Sequence, residues 1–188
     1  QIGGLMEKLG KQPAFIDGLR VTDQETMDIA EMVLTGSINK DIVSHINKNG
    51  GRAVGLSGKD GSLLMARKLL KKDKNDPSIT IDIGFLGEIT SVNPRVINTL
   101  ASNQFIPVVA PVGCGEDGQT YNINADTAAG AIAGALKAEK LILLTDVEGV
   151  KDSGGSLLST LTEPEVQRLI SSGDISGGMI PKVTCCCR

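Results

Sequence analysis

The run SGGMIPK, residues 176 to 182, places paired glycines ahead of a helical turn and a lysine at its end. Glycines without a Cβ let backbone N–H groups approach a phosphate, and the ammonium of Lys182 can reach the same place. The pattern is not a Walker A loop. YNINAD, residues 121 to 126, brings the amides of Asn122 and Asn124 and the carboxylate of Asp126 to the start of an alanine-rich helix. Free N–H groups and the helix dipole attract anions there. Capping is the commoner role of Asn and Asp at a helix start, and spacing alone favours it for Asn124 or Asp126. LLTDVEGV, residues 143 to 150, is an apolar run ending in Asp146 and turning at Gly149, a pattern that any α/β turn satisfies. In GLRVTD, residues 18 to 23, Arg20 stands just before a helix N-terminus, where its guanidinium fork would match both oxygens of a carboxylate. A surface salt bridge is the competing explanation. GLSGKDG, residues 55 to 61, is also glycine-rich, but a strand followed by a turn accounts for it without a ligand.

Loops of this kind need a rigid frame, and the remaining pattern predicts one. Residues Ile2 to Leu9 read as an amphipathic helix already under way at the first residue, which suggests a truncated element. Thr22 with Glu25 forms a capping-box pattern opening a helix over Asp23 to Ile38 that resumes to Ile46. Its apolar face comprises Met27, Ala30, Val33, Leu34 and Ile38. Strands are expected at Ala53 to Leu56, Ile79 to Ile83, Glu88 to Val92 and Ile106 to Ala110, each bounded by Gly, Asp, Asn or Pro. The lysine-rich stretch Leu70 to Asp76 reads as a solvated hairpin or loop. A helix over Thr127 to Leu136 leads to a buried strand at Lys140 to Thr145, and Thr162 with Glu165 caps a further helix. Helix and strand alternate, so the expected class is α/β with a mostly parallel sheet covered on both faces. In such sheets ligands sit beyond the carboxyl ends of the strands, which directs attention to residues 122–126, 145–151 and 176–182. A lobe boundary is expected near Ala110 to Gly118.

Composition excludes several classes of function. With 188 residues, 40% of them hydrophobic, the chain is long enough to bury a core. A net charge of -3 offers no basic field to a nucleic acid. Apolar runs such as Ile106 to Val112 fall far short of the roughly 20 residues that span a bilayer, and Gln1 to Gly10 has no secretory or transit pattern. Cys114 stands alone and Cys185, Cys186 and Cys187 are contiguous, a usage that points to a reducing compartment and lacks zinc-ligand spacing. His45 is the single histidine and reads as a surface residue at a polar helix end.

Taken together and in order, GLRVTD, GLSGKDG, IGFLGE, YNINADTAAG, LILLTDVEGV and GGMIPK resemble the amino-acid kinase family, in particular its branch acting on N-acetyl-L-glutamate. The resemblance implies a three-layer α/β/α sandwich. Residues 1–112 would be an amino-acid-binding lobe and 113–188 a nucleotide-binding lobe. The implied reaction is transfer of the γ-phosphoryl of ATP, carried with Mg²⁺, to the side-chain carboxylate of N-acetyl-L-glutamate, a step of arginine biosynthesis. No bound cofactor or protein metal cage is implied. Lys182 would neutralise charge on the phosphates and Asp126 would position the catalytic lysines. Arg20, Asn122 and Asn124 would hold the substrate. Thr145, Asp146, Val147, Gly149, Val150 and Lys151, with Ser176, Gly177, Gly178 and Met179, would line the nucleotide.

The resemblance also has departures. The family's opening strand, with a second catalytic lysine and a glycine-rich loop, would precede Gln1, and further strands and helices would follow the final TCCCR. The chain therefore reads as a fragment lacking both ends, expected to be poorly folded or inactive alone. A homo-oligomer, arginine as feedback inhibitor and a cytoplasmic location are implied for the whole protein, with a bacterial source favoured over a plastid one. A relative acting on aspartate, glutamate or carbamate stays open, as does a non-catalytic ligand-binding relative.

Overall fold

The computed structural model describes residues 2–12, 15, 16, 19–73, 76 and 78–187. Helix α1 (Ile2–Lys8) buries Met6 against Ile29 and Val33. The short strands β1 (Phe15–Ile16) and β2 (Leu19–Arg20) pair antiparallel. Helix α2 (Gln24–Glu31) is opened by Asp23, whose carboxylate accepts from the Thr26 N–H at 2.9 Å and from the Lys11 ammonium at 2.7 Å. The expected Thr22–Glu25 box does not form. Thr22 is instead fully buried and bridged to Gly84: its N–H donates to the Ile83 carbonyl at 3.0 Å, and its own carbonyl accepts from the Phe85 N–H at 2.6 Å. A backbone committed to that bridge leaves the cap to the next residue.

The chain then runs helically to Lys48, through a widened turn over Met32–Ile38 and helix α3 (Asn39–Lys48). Within the wide turn the Thr35 hydroxyl donates to the Glu31 carbonyl at 2.7 Å, in competition with the backbone ladder, which is a recognised cause of helix distortion. Of the apolar face, Met27, Ala30 and Val33 are buried and Leu34 and Ile38 half-buried. Buried Asn39 ties this helix to the parallel pair β3 (Ala53–Ser57) and β6 (Ile106–Ala110). Its amide donates to the carbonyls of Leu56 at 3.1 Å and Val108 at 2.8 Å. A buried amide satisfied by two strands pins both.

Strand β4 (Leu64–Lys72) pairs antiparallel with β5 (Thr80–Val92), and α4 (Arg95–Ser102) follows. The lysine-rich stretch is thus a strand as far as Lys72. Its cations are accommodated by acceptors across the ladder: Lys68 meets Asp82 at 2.7 Å, Arg67 meets Glu88 at 2.9 Å, and Lys72 donates to Thr80 at 3.1 Å. Lys74 and Asn75 lie outside the described residues. The hairpin of β7 (Val112–Cys114) and β8 (Thr120–Ile123) closes these strands into a four-stranded barrel, with Met65 facing Cys114 and Leu86 facing Asn122. Leu63, Leu64, Ala66, Ile97, Tyr121, Ile123 and Ala128 fill its interior and the groove under the adjoining helices.

Helix α5 (Ala125–Leu136) leaves the barrel directly, α6 (Glu163–Ser172) starts with the expected box, and α7 (Met179–Cys185) follows. The Glu165 carboxylate accepts from both the N–H and the hydroxyl of Thr162 at 2.7 Å. The strand expected over Lys140 to Thr145 is not formed. No described strand lies beside it to complete its hydrogen bonds, and Ile142 and Leu144 are 71% and 93% exposed.

The Lys11 ammonium, followed by the Thr26 hydrogen bonds, holds the Asp23 carboxyl down at about 2, below its usual 3.8. A lowered folded-state value means the charged form adds stability above pH 3.8 and loses it as pH falls through about 2. Asp23→Ala is expected to cost about 1 kcal/mol in urea unfolding at neutral pH. The cost should fade across that acid window, read as converging unfolding midpoints of the two proteins.

Candidate functional site

The junction of β8 and α5 is where the chain turns polar groups toward α7. The residue before α5, Asn124, has an extended backbone (φ -61°, ψ 128°). Its side-chain oxygen accepts from the Thr127 N–H at 3.0 Å and the Thr127 hydroxyl at 3.2 Å. The capping role is therefore real for Asn124, and among the described residues its amide NH₂ has no acceptor. Asn122, two residues earlier in β8, is half-buried opposite Leu86 and Val112, and its carboxamide has no partner among the described residues. Asp126 falls in the first turn of α5, so its carboxylate sits at the positive end of that helix.

Across from it stands Lys182 of α7. Its ammonium lies 3.2 and 3.1 Å from the two oxygens of Asp126, with the side chains 28% and 19% exposed. Partial burial strengthens the Coulomb attraction within the pair and costs each charge part of its hydration, and both side chains keep some exposed surface.

Lys182 also lines a cavity of about 610 Å³ together with Thr145, Gly149, Val150 and Met179. A second cavity of about 480 Å³ shares Gly149, Val150 and Met179 and adds Asp146, Val147, Lys151 and Ser176. Two loops separated in sequence thus line two adjoining cavities, a recess in which Gly149, Val150 and Met179 are shared. Gly177, at φ 55°, makes the turn into α7, and Gly178 is the cap residue, so both shape the loop without lining either cavity. Lys151 is held by Glu148 at 2.9 Å. Arg20 belongs to β2, and its side chain lies outside the described residues.

Sequence reasoning did not single out Leu161, Glu163 or Val166, which wall the larger cavity from the α6 side, or Cys186 and Cys187. For the three on the α6 side the only sequence signal was the capping box that opens that helix. Cys185 turns inward, and burial, with the neighbouring Cys186 and the charge of Asp126, pushes its thiol up to about 11. It is neutral at physiological pH.

The structure is a mixed α/β chain in which a partly buried Lys–Asp pair stands beside a recess lined by two loops, its lysine forming part of the wall. The chain belongs to the amino acid kinase family, whose profile matches residues 1–188. It is 58% identical to an acetylglutamate kinase of Geobacter metallireducens over 99% of this chain and 64% of that protein. An acetylglutamate kinase of Geotalea daltonii is 55% identical over the same shares. The chain thus spans about two-thirds, strictly 64%, of the length of these curated relatives. Among solved structures, smu.665 from Streptococcus mutans superposes with a TM-score of 0.84 at 34% identity, over 98% of this chain and 71% of that one. N-acetylglutamate synthase from Neisseria gonorrhoeae shares the fold, with a TM-score of 0.79 at 24% identity over 98% of this chain and 40% of that one.

Asp126→Asn and Lys182→Met are each expected to lower unfolding stability by about 1–3 kcal/mol, because each leaves a mostly buried charge unpaired. The double variant should lose less than the sum, by on the order of 1 kcal/mol in a double-mutant cycle. Additive losses would show that the two groups do not interact in solution.

Proposed function

We propose that this chain belongs to an enzyme that transfers the γ-phosphoryl group of ATP to the side-chain carboxylate of N-acetyl-L-glutamate. The observation that carries the reading is the Lys182–Asp126 pair, whose lysine lines the recess, and the names of the relatives supply the acceptor. The acceptor carboxylate is already a nucleophile at neutral pH, so no general base is required. Its oxygen forms a bond to the γ-phosphorus as the bond to the β-phosphate oxygen breaks. The chemical need is to hold the two anions in line and to neutralise the charge spread over the phosphoryl oxygens.

Lys182 supplies that neutralisation, and Asp126 fixes where its ammonium stands. Asn122 and the free NH₂ of Asn124 donate to the acetamido and carboxylate oxygens of the acceptor, while Arg20 takes its α-carboxylate. Thr145 to Val147, Gly149 to Lys151 and Ser176 to Met179 contact the nucleotide. Mg²⁺ arrives with ATP as part of the substrate. In this reading residues 1–112 form the amino-acid side and 113–188 the nucleotide side. A cytoplasmic bacterial setting, self-association of the whole protein and feedback inhibition by arginine belong to the same reading, and to arginine synthesis as the pathway served.

The test is acyl-phosphate formation, trapped as the hydroxamate, by the complete product of the gene carrying this sequence. MgATP would be supplied with N-acetyl-L-glutamate, aspartate or glutamate. Turnover is expected with N-acetyl-L-glutamate alone, and Lys182→Ala should cut kcat on the order of a hundredfold or more. Turnover on another acceptor would overturn the substrate, and none on any acceptor would favour a ligand-binding relative without catalysis.

A further inference from the structure

Helix α5 is alanine-rich, and in mid-helix alanine is favoured over glycine by about 1 kcal/mol. Gly130 nevertheless sits in its centre, buried. A Cβ built on Gly130 would stand 2.7 Å from the carbonyl oxygen of Cys185, 2.8 Å from its Cβ and 3.2 Å from its Cα. Two of those atoms are backbone and cannot swing aside, so a methyl group there would force α7 outward by several tenths of an ångström. Gly134, one turn further along α5, has nothing within 4 Å of its own built Cβ. Close approach of the two helices therefore depends on position 130 and not on the second glycine.

That contact lies one turn from the Lys–Asp pair on both helices. Asp126 precedes Gly130 by four residues and Lys182 precedes Cys185 by three, so each couple shares a helix face. The Cys185 thiol also hydrogen-bonds to the Lys182 carbonyl at 3.0 Å, which ties the packed turn to the turn bearing the lysine. The ammonium already stands at 3.1–3.2 Å from Asp126, beyond the roughly 2.7–2.9 Å of a tight charge-assisted bond, so little slack remains.

We propose that Gly130 is a positioning residue for phosphoryl transfer, admitting the backbone of α7 close enough to α5 that Lys182 is held by Asp126. The proposal rests on the reading of Lys182 given above. It differs from a purely structural role in what it changes: the place of one ammonium group and not only the stability of two helices.

The experiment compares Gly130→Ala with Gly134→Ala in the complete gene product, reading kinetics and the nitrogen-15 signal of the Lys182 ammonium. Gly130→Ala is expected to move that signal in the direction given by Asp126→Asn and to lower kcat about ten- to hundredfold, with KM for ATP little changed. In a Lys182→Ala background the same substitution should cost less than about threefold more, because the group it displaces is gone. Gly134→Ala should leave both signal and kcat in place. Cys185→Val crowds the contact from the α7 side and should move the signal as well, which keeps the test open should Gly130→Ala fail to fold. An unmoved Lys182 signal in a folded crowding variant, or full additivity with Lys182→Ala, would overturn the proposal. A moved signal with an unchanged rate would support the placement and overturn the role assigned to Lys182.

Discussion

A charge that is mostly out of water must have a partner, and the Lys182–Asp126 pair is where this chain meets that requirement with groups 56 positions apart. The pair constrains much of what surrounds it. Helix α5 must begin where β8 ends, so that Asp126 falls in its first turn, and Asn124 enforces that start by capping. Helix α7 must come back across α5, and the glycine turn at residues 176–178 brings it there. The recess lies between the loop of residues 143–152, the start of α6 at Leu161, Glu163 and Val166, and residues 174–187, which include α7.

The barrel provides the fixed end of this arrangement. Its closure by the β7–β8 hairpin joins ladders of both senses and plants the first turn of α5, through Ala128, on a packed core. A second clamp holds the other half of the chain, where Asn39 occupies carbonyls of two parallel strands and Lys59 joins Glu31 at 2.9 Å to Thr120 at 3.0 Å. Lys59 comes from the GLSGKDG turn, which the sequence explains as a strand and its turn. The fold uses that turn to tie α2 to β8.

Local chemistry was legible where one residue's backbone decides the outcome. The Thr162–Glu165 box, the strands at 53–57 and 106–110 and the alanine-rich helix all follow from short-range pattern. Pattern failed where long-range pairing overrode it. Thr22 has the side chain of a cap, but its backbone is held by the Gly84 region, which no local rule reveals. Leu70 to Lys72, the start of the stretch with the composition of a loop, pair with β5 as a strand. The candidate site was legible through the joint order of six motifs more than through any one. Spacing alone could not pair Asp126 with Lys182, and the α6 residues that wall the recess carry no motif.

The run around Ile142 and Leu144 has its own consequence. Two large aliphatic side chains in water, on a backbone with no ladder partner among the described residues, represent on the order of 3–6 kcal/mol of unrealised burial. A free energy of that size is recovered only when apolar surface covers the segment, so its conformation is decided by what packs on it more than by its own sequence.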